Sequence, residues 1–186
     1  NTGMPTEMSA ISPASTSSTT FKAVLVWTLS IMVSVAALLS PALWNGFALV
    51  FFDTGGYVRR VLTMELTPGR SLFYGLFLWA SSFGWWSLYG PVLGQALCSV
   101  WLIRLMLRCH DLPAGPLVTA FFCAALSLLT GIAWYVSQLM PDGLVSLAVL
   151  ALWLLGFRWQ RLARLERAGL VAITLLGLLS HMSGMA

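Results

Sequence analysis

The run FKAVLVWTLSIMVSVAALLSPALW, from Phe21 to Trp44, carries one charge, Lys22, at its start and none after it. A helix needs about twenty apolar residues to cross roughly 30 Å of hydrocarbon, so this run predicts a membrane helix. It is too long for the apolar core of a secretory signal, and no small-residue cleavage site closes it. Pro41 falls near its far end, where a lost backbone hydrogen bond costs least.

Blocks of similar length recur along the chain. Hydrophobic residues make up 59% and charged residues 9%, against roughly a quarter charged in soluble domains, so lipid is the expected solvent. The expected fold is all-α, a polytopic membrane bundle of five or six apolar helices whose first external loop carries short juxtamembrane helices. Residues 1–20 are rich in Ser, Thr and Pro with Glu7 as their only charge, and read as a disordered tail. Residues 21–186 read as one transmembrane domain. Its last apolar run, Ala168 to Ala186, continues to the final residue, which predicts that this domain is the N-terminal part of a longer protein.

Ser71 to Gly90 is interrupted by Gly75, Ser81, Ser82 and Gly84 and carries Trp79, Trp85 and Trp86, a residue type that prefers the headgroup level. Pro91 to Leu107 is a cleaner membrane helix, and Leu117 to Leu139 is expected to form another. Met140, Pro141, Asp142 and Gly143 then turn the chain into a helix ending near Phe157. From Arg158 to Arg167 the arginines recur three apart, which predicts a charged helical face at the membrane surface or a simple topology anchor. Gln95, inside an apolar helix, is expected to hydrogen-bond a neighbouring helix.

Cys98, Cys109 and Cys123 show no paired spacing and read as small buried hydrophobes. Cys109, His110 and Asp111 are adjacent, and adjacent residues on a helix point in different directions, so they do not make a metal site. The formal charge of +4 comes from basic residues clustered in short connections rather than on a soluble face, which excludes nucleic acid as a partner.

Topology decides which charges can meet. Six crossings with the N-terminus outside satisfy the positive-inside rule but put Asp53 and Asp142 on opposite sides. Five crossings, with the N-terminus inside and Ser71 to Gly90 re-entrant or interfacial, bring the two aspartates together. Lys22, Arg104, Arg108, Arg158, Arg161, Arg164 and Arg167 then face the cytoplasm, and Arg59, Arg60 and Arg70 stand outside. A lipid-linked phosphate suits those three, since guanidinium groups bind phosphate oxygens in pairs.

An aspartate after the first membrane helix, Asp53, then Tyr57, then Gly69-Arg70-Ser71-Leu72-Phe73-Tyr74-Gly75-Leu76, then a helix ending in arginine, resembles the start of the GT-C glycosyltransferases. That superfamily includes the protein O-mannosyltransferases and the lipid A aminoarabinose transferases. Met140-Pro141-Asp142-Gly143-Leu144 is similar to its second acidic turn. The resemblance implies a membrane enzyme that moves a sugar from a polyprenyl-phosphate donor to a glycan, lipid or protein acceptor, on the extracytoplasmic side of a bacterial inner membrane. It implies Asp53 as catalytic base, with Tyr57, Arg59, Arg60, Arg70, Asp142 and His181 as substrate-binding residues. No cofactor is implied, the lipid-linked sugar being a substrate, and a divalent metal is left open. The chain departs from the pattern at Thr54, where many members have a second acid, and at Ser180-His181-Met182-Ser183, where many have a lysine.

Competing readings are a small transporter or channel component and a non-catalytic assembly subunit. The helix centres hold almost no ionisable residues, which weighs against a transport path. A rhomboid-like protease is disfavoured, because His181 and Ser183 are two apart on one helix and cannot form a dyad.

Overall fold

The computed structural model describes residues 14–64 and 70–181. The tail reading of residues 1–13 therefore lies outside the described residues, as do Gly69 and Ser183. The regular structure among the described residues is helical, with one isolated β-bridge between Leu49 and Gln138.

Helix α1, Ala14–Leu38, takes in the Ser- and Thr-rich residues 14–20 that the sequence places in the tail. Extending a formed helix fixes one residue per new hydrogen bond, so such residues can join its end. The first apolar run then breaks at Leu39, and α2, Ser40–Asn45, restarts with Pro41 in its first turn. There the missing N–H would have been unsatisfied anyway. Short helices follow, α3 over Thr54–Thr63 and α4 over Leu72–Ser81. Helix α5, Tyr89–Cys109, runs back along α1.

The expected continuous helix from Leu117 to Leu139 is two helices, α6 over Pro116–Leu129 and α7 over Ile132–Ser137. Thr130 is extended; its Oγ1 donates to Leu126 O and accepts from Ile132 N at 3.3 Å, ending one helix and starting the next. Pro141 opens α8, Pro141–Phe157, as its sequence predicts.

The arginine segment does not form a charged helical face. A 3-10 turn over Trp159–Arg161 and extended Leu162 and Ala163 reverse the chain into α9, Arg164–Ser180. Buried Leu162 anchors the reversal, and the Glu166 carboxylate accepts from Ala163 N at 2.9 Å, satisfying an orphan N–H at the start of α9. Helices α8 and α9 form the most extensive helix pair. Gly177 permits this approach, since a Cβ there would lie 2.5 Å from Ala148 Cβ and 2.7 Å from Leu144 O.

Thr20–Leu38 within α1 and the whole of α5 are long and apolar enough to cross a membrane, while α4, α6 and α8 are shorter apolar helices. Large apolar side chains stand outward, among them Met32, Phe121, Leu128, Val149 and Leu178. Small polar ones, including Ser30, Ser34, Ser99 and Ser137, are buried between helices with Gln95. Ser34 Oγ and Ser99 Oγ donate back to the carbonyls of Ser30 and Gln95, at 2.7 and 2.8 Å. Such bonding lets hydroxyls sit inside an apolar bundle without unmet polar groups.

Candidate functional site

Successive long helices alternate in direction, so the connections gather at two ends. One end holds the turns around Asp53 and Asp142. The other holds the arginine hook between α8 and α9, and Asp111.

Backbone contacts stitch the two acidic turns together. Leu49 N donates to Ser137 O and Leu139 N to Leu49 O, both at 2.9 Å, in a parallel bridge that joins the segment before Asp53 to the one before Asp142. Thr54 locks the join: its buried Oγ1 accepts from Phe51 N at 3.0 Å and donates to Leu139 O at 2.9 Å. Gln95 adds to it as its sequence position suggests, with Nε2 donating to Gln138 O at 3.2 Å.

Asp53 occupies the N-cap position of α3, yet its side chain makes no capping bond. Its Oδ1 instead accepts from Arg70 Nη2. Arg70 sits 5.6 Å over the Tyr57 ring, and Arg60 Nη1 donates to the Arg70 carbonyl, bracing the backbone that carries it. Gly56 leaves the space Arg70 occupies, because a Cβ there would lie 3.0 Å from Arg70 Nε. Asp142, in the first turn of α8, has Oδ1 3.3 Å from Nε2 of His181 at the end of α9. Ser71 Oγ donates to Leu179 O at 2.6 Å, tying the start of α4 to the same place.

Tyr57 is buried between these groups. Desolvation raises its hydroxyl above the usual phenol range against the pull of Arg70, and both Asp53 and Asp142 are near enough to raise it further. It therefore stays protonated and can donate. Tyr74 packs edge-on against Tyr57 with ring centroids 4.8 Å apart. Burial pushes its hydroxyl well above the usual range, with Tyr57 and Asp142 adding to the effect.

Of the residues singled out from sequence, Asp53, Tyr57, Arg60, Arg70, Asp142 and His181 meet at this end, each through a contact above. Arg59 is exposed on α3 and takes no part in the contacts described. Sequence reasoning gave no role to Thr54 beyond the turn, and none to Tyr74 or Ser180. Among the described residues, Tyr74 Oη and Ser180 Oγ are buried without a hydrogen-bond partner. The available signal was a hydroxyl inside an apolar block, which needs a partner when buried.

The cluster offers a carboxylate held by a guanidinium, a second carboxylate paired with an imidazole, and protonated phenols between them. This combination can accept a proton and bind an anion within one site. Comparison with protein-family models, curated proteins and solved structures returns no match to this chain.

Proposed function

We propose that the chain is a multi-pass protein of a bacterial inner membrane that transfers a sugar from a polyprenyl phosphate to an acceptor on the extracytoplasmic side. The observation that carries this reading is the stitch through Leu49, Thr54 and Leu139, which brings Asp53 and Asp142 to one end of the bundle. The reading takes five crossings, by α1, α5, α6 with α7, α8 and α9. Helix α4 has ten residues, about 15 Å, too short to cross. Seven of the ten basic residues then face the cytoplasm, in keeping with the positive-inside rule.

In this reading Asp53 accepts the acceptor hydroxyl's proton as that oxygen bonds to the anomeric carbon. The bond from that carbon to the polyprenyl phosphate breaks, and the phosphate leaves with the electron pair. Arg70 orients the carboxylate, Arg59 and Arg60 supply charge for the phosphate, Tyr57 donates a hydrogen bond, and Asp142 with His181 positions the acceptor.

A second reading, a non-catalytic membrane subunit, is favoured by one observation: both carboxylates already have a side-chain partner within the chain, so the two contacts suit a structural clasp. Cysteines introduced singly as Gly55→Cys, Asp142→Cys and Arg164→Cys, in a background lacking the native thiols, test the shared topology. Labelling of 55 and 142 from one side and of 164 from the other is expected. Labelling of 55 and 142 from opposite sides contradicts both readings.

A further inference from the structure

The hook between α8 and α9 gathers positive charge that the described residues do not neutralise. Arg108 grips Glu166 with both terminal nitrogens, at 2.7 and 2.6 Å, and Arg161 pairs with Asp111. Those are the two described acids at this end. Among the described residues, Arg104, Arg158, Arg164 and Arg167 have no carboxylate partner.

Three of these four lie against indole rings: Arg104 at 4.4 Å from Trp27, Arg158 at 5.8 Å from Trp153 and Arg167 at 4.4 Å from Trp159. The Nε atoms of Arg158 and Arg167 are buried and without a hydrogen-bond partner among the described residues. A buried donor left in that state costs free energy. Arg158 lines a hollow of about 350 Å³ together with Gly156, Phe157, Trp159, Gln160 and Arg161, and Trp159, on which Arg167 stacks, forms part of its wall. Its lining is mixed in character. Arg158, Gln160 and Arg161 are polar, while Phe157 and Trp159 are apolar and exposed, at 73% and 47%.

We infer that this hook is a binding site for the phosphodiester headgroup of an anionic phospholipid, with Arg158 and Arg167 as its principal ligands. A guanidinium presents paired donors to phosphate oxygens, and basic pockets beside membrane helices suit anionic headgroups. The apolar rim selects a lipid over a free phosphate, because Phe157 and Trp159 can lie against the glycerol and first methylenes only if an acyl chain is attached. The inference rests on the membrane placement of the chain and is independent of any transfer chemistry at the other end.

The test uses the full chain extracted in neutral detergent, with phosphatidylglycerol, phosphatidylcholine and glycerol 3-phosphate as probes and retained lipid counted by native mass spectrometry. Phosphatidylglycerol should be retained in preference to phosphatidylcholine, and glycerol 3-phosphate should not displace it. Arg158→Gln and Arg167→Gln should each weaken retention about fivefold, with Arg→Lys at either position giving a smaller loss. Should the variants fail to fold, the unaltered chain still decides: retention of phosphatidylglycerol must fall severalfold on raising salt from low to about 0.5 M. Equal retention of the two lipids, salt-independent retention, or displacement by glycerol 3-phosphate would overturn the site. Recovery of the chain in aqueous buffer without detergent would overturn the membrane placement as well.

Discussion

Arg70 donates from Nη2 to Oδ1 of Asp53, across the junction between α3 and α4, and holds the carboxylate away from the helix-capping role its position invites. If this contact aims Asp53, Arg70→Gln should lower transfer roughly ten- to a hundredfold while leaving the helical content unchanged, since small misplacements of a reacting group cost that much. Arg70→Lys should recover part of the loss. Turnover normalised to folded protein checks this, and an unaltered rate in Arg70→Gln would remove Arg70 from the site.

Thr54→Val keeps the shape of the side chain but removes both hydrogen bonds of Oγ1. Phe51 N and Leu139 O then lose a buried partner, at a cost of about 1 to 3 kcal/mol. The expected result is a lower midpoint in denaturant-induced unfolding in detergent, together with faster amide exchange over residues 49–54 and 137–140. A change confined to 49–54 would show that the two acidic turns are not coupled through Thr54.

Gly177 packs directly against Ala148 and Leu144 of α8, with no room for a Cβ. Gly177→Val should force the pair apart and destabilise the chain by about 1 to 3 kcal/mol or more, the usual cost of overpacking. Gly156→Val, at a glycine with open space around it, is the control and should leave stability within about 1 kcal/mol. Similar losses in both variants would mean that the close contact at Gly177 does not set the effect, since valine is the better helix former at both positions.

The Arg161 guanidinium holds the Asp111 carboxyl below its usual range. A depressed carboxyl contributes stability above its unfolded value and loses it as pH falls through the folded one. Protection of the turn over 109–113 should therefore be flat from neutral pH down to about 5, once exchange chemistry is corrected for, and should fall only below about 4. In Arg161→Gln this acid-induced loss should shrink or vanish, with protection at neutral pH already lower than in the unaltered chain. No difference between the two would show that the exposed pair contributes nothing.

The apolar blocks made the helical fold legible, and the Pro141 turn was legible because proline at a first helical turn and an acid beside it carry a clear signal. The break at Thr130 was not, since Leu117 to Leu139 carries no charge to mark it and the break depends on one hydroxyl bonding both ways. The arginine hook was misread for a similar reason: its three-residue spacing suits a helix, but buried Leu162 anchors a reversal there and the Glu166 cap starts a new helix. At the candidate site, the charged residues could be picked out one by one. The Leu49–Gln138 bridge that gathers them could not, because a single bridge leaves no periodicity to read.

Asp53→Asn is the most direct test of the central claim. Asparagine nearly matches the shape of aspartate and can still accept from Arg70, so a clasp should survive with a loss of about 1 kcal/mol or somewhat more. An amide cannot take the acceptor's proton, and losing general-base assistance costs roughly a hundred- to ten-thousandfold in rate. The measurement is transfer from a polyprenyl-phosphate sugar in proteoliposomes, normalised to folded protein, with Asp142→Asn as the control. The account predicts transfer by the unaltered chain, near-complete loss in Asp53→Asn and a smaller defect in Asp142→Asn. No transfer by the unaltered chain, or retention in Asp53→Asn of more than about a tenth of its turnover, would contradict it.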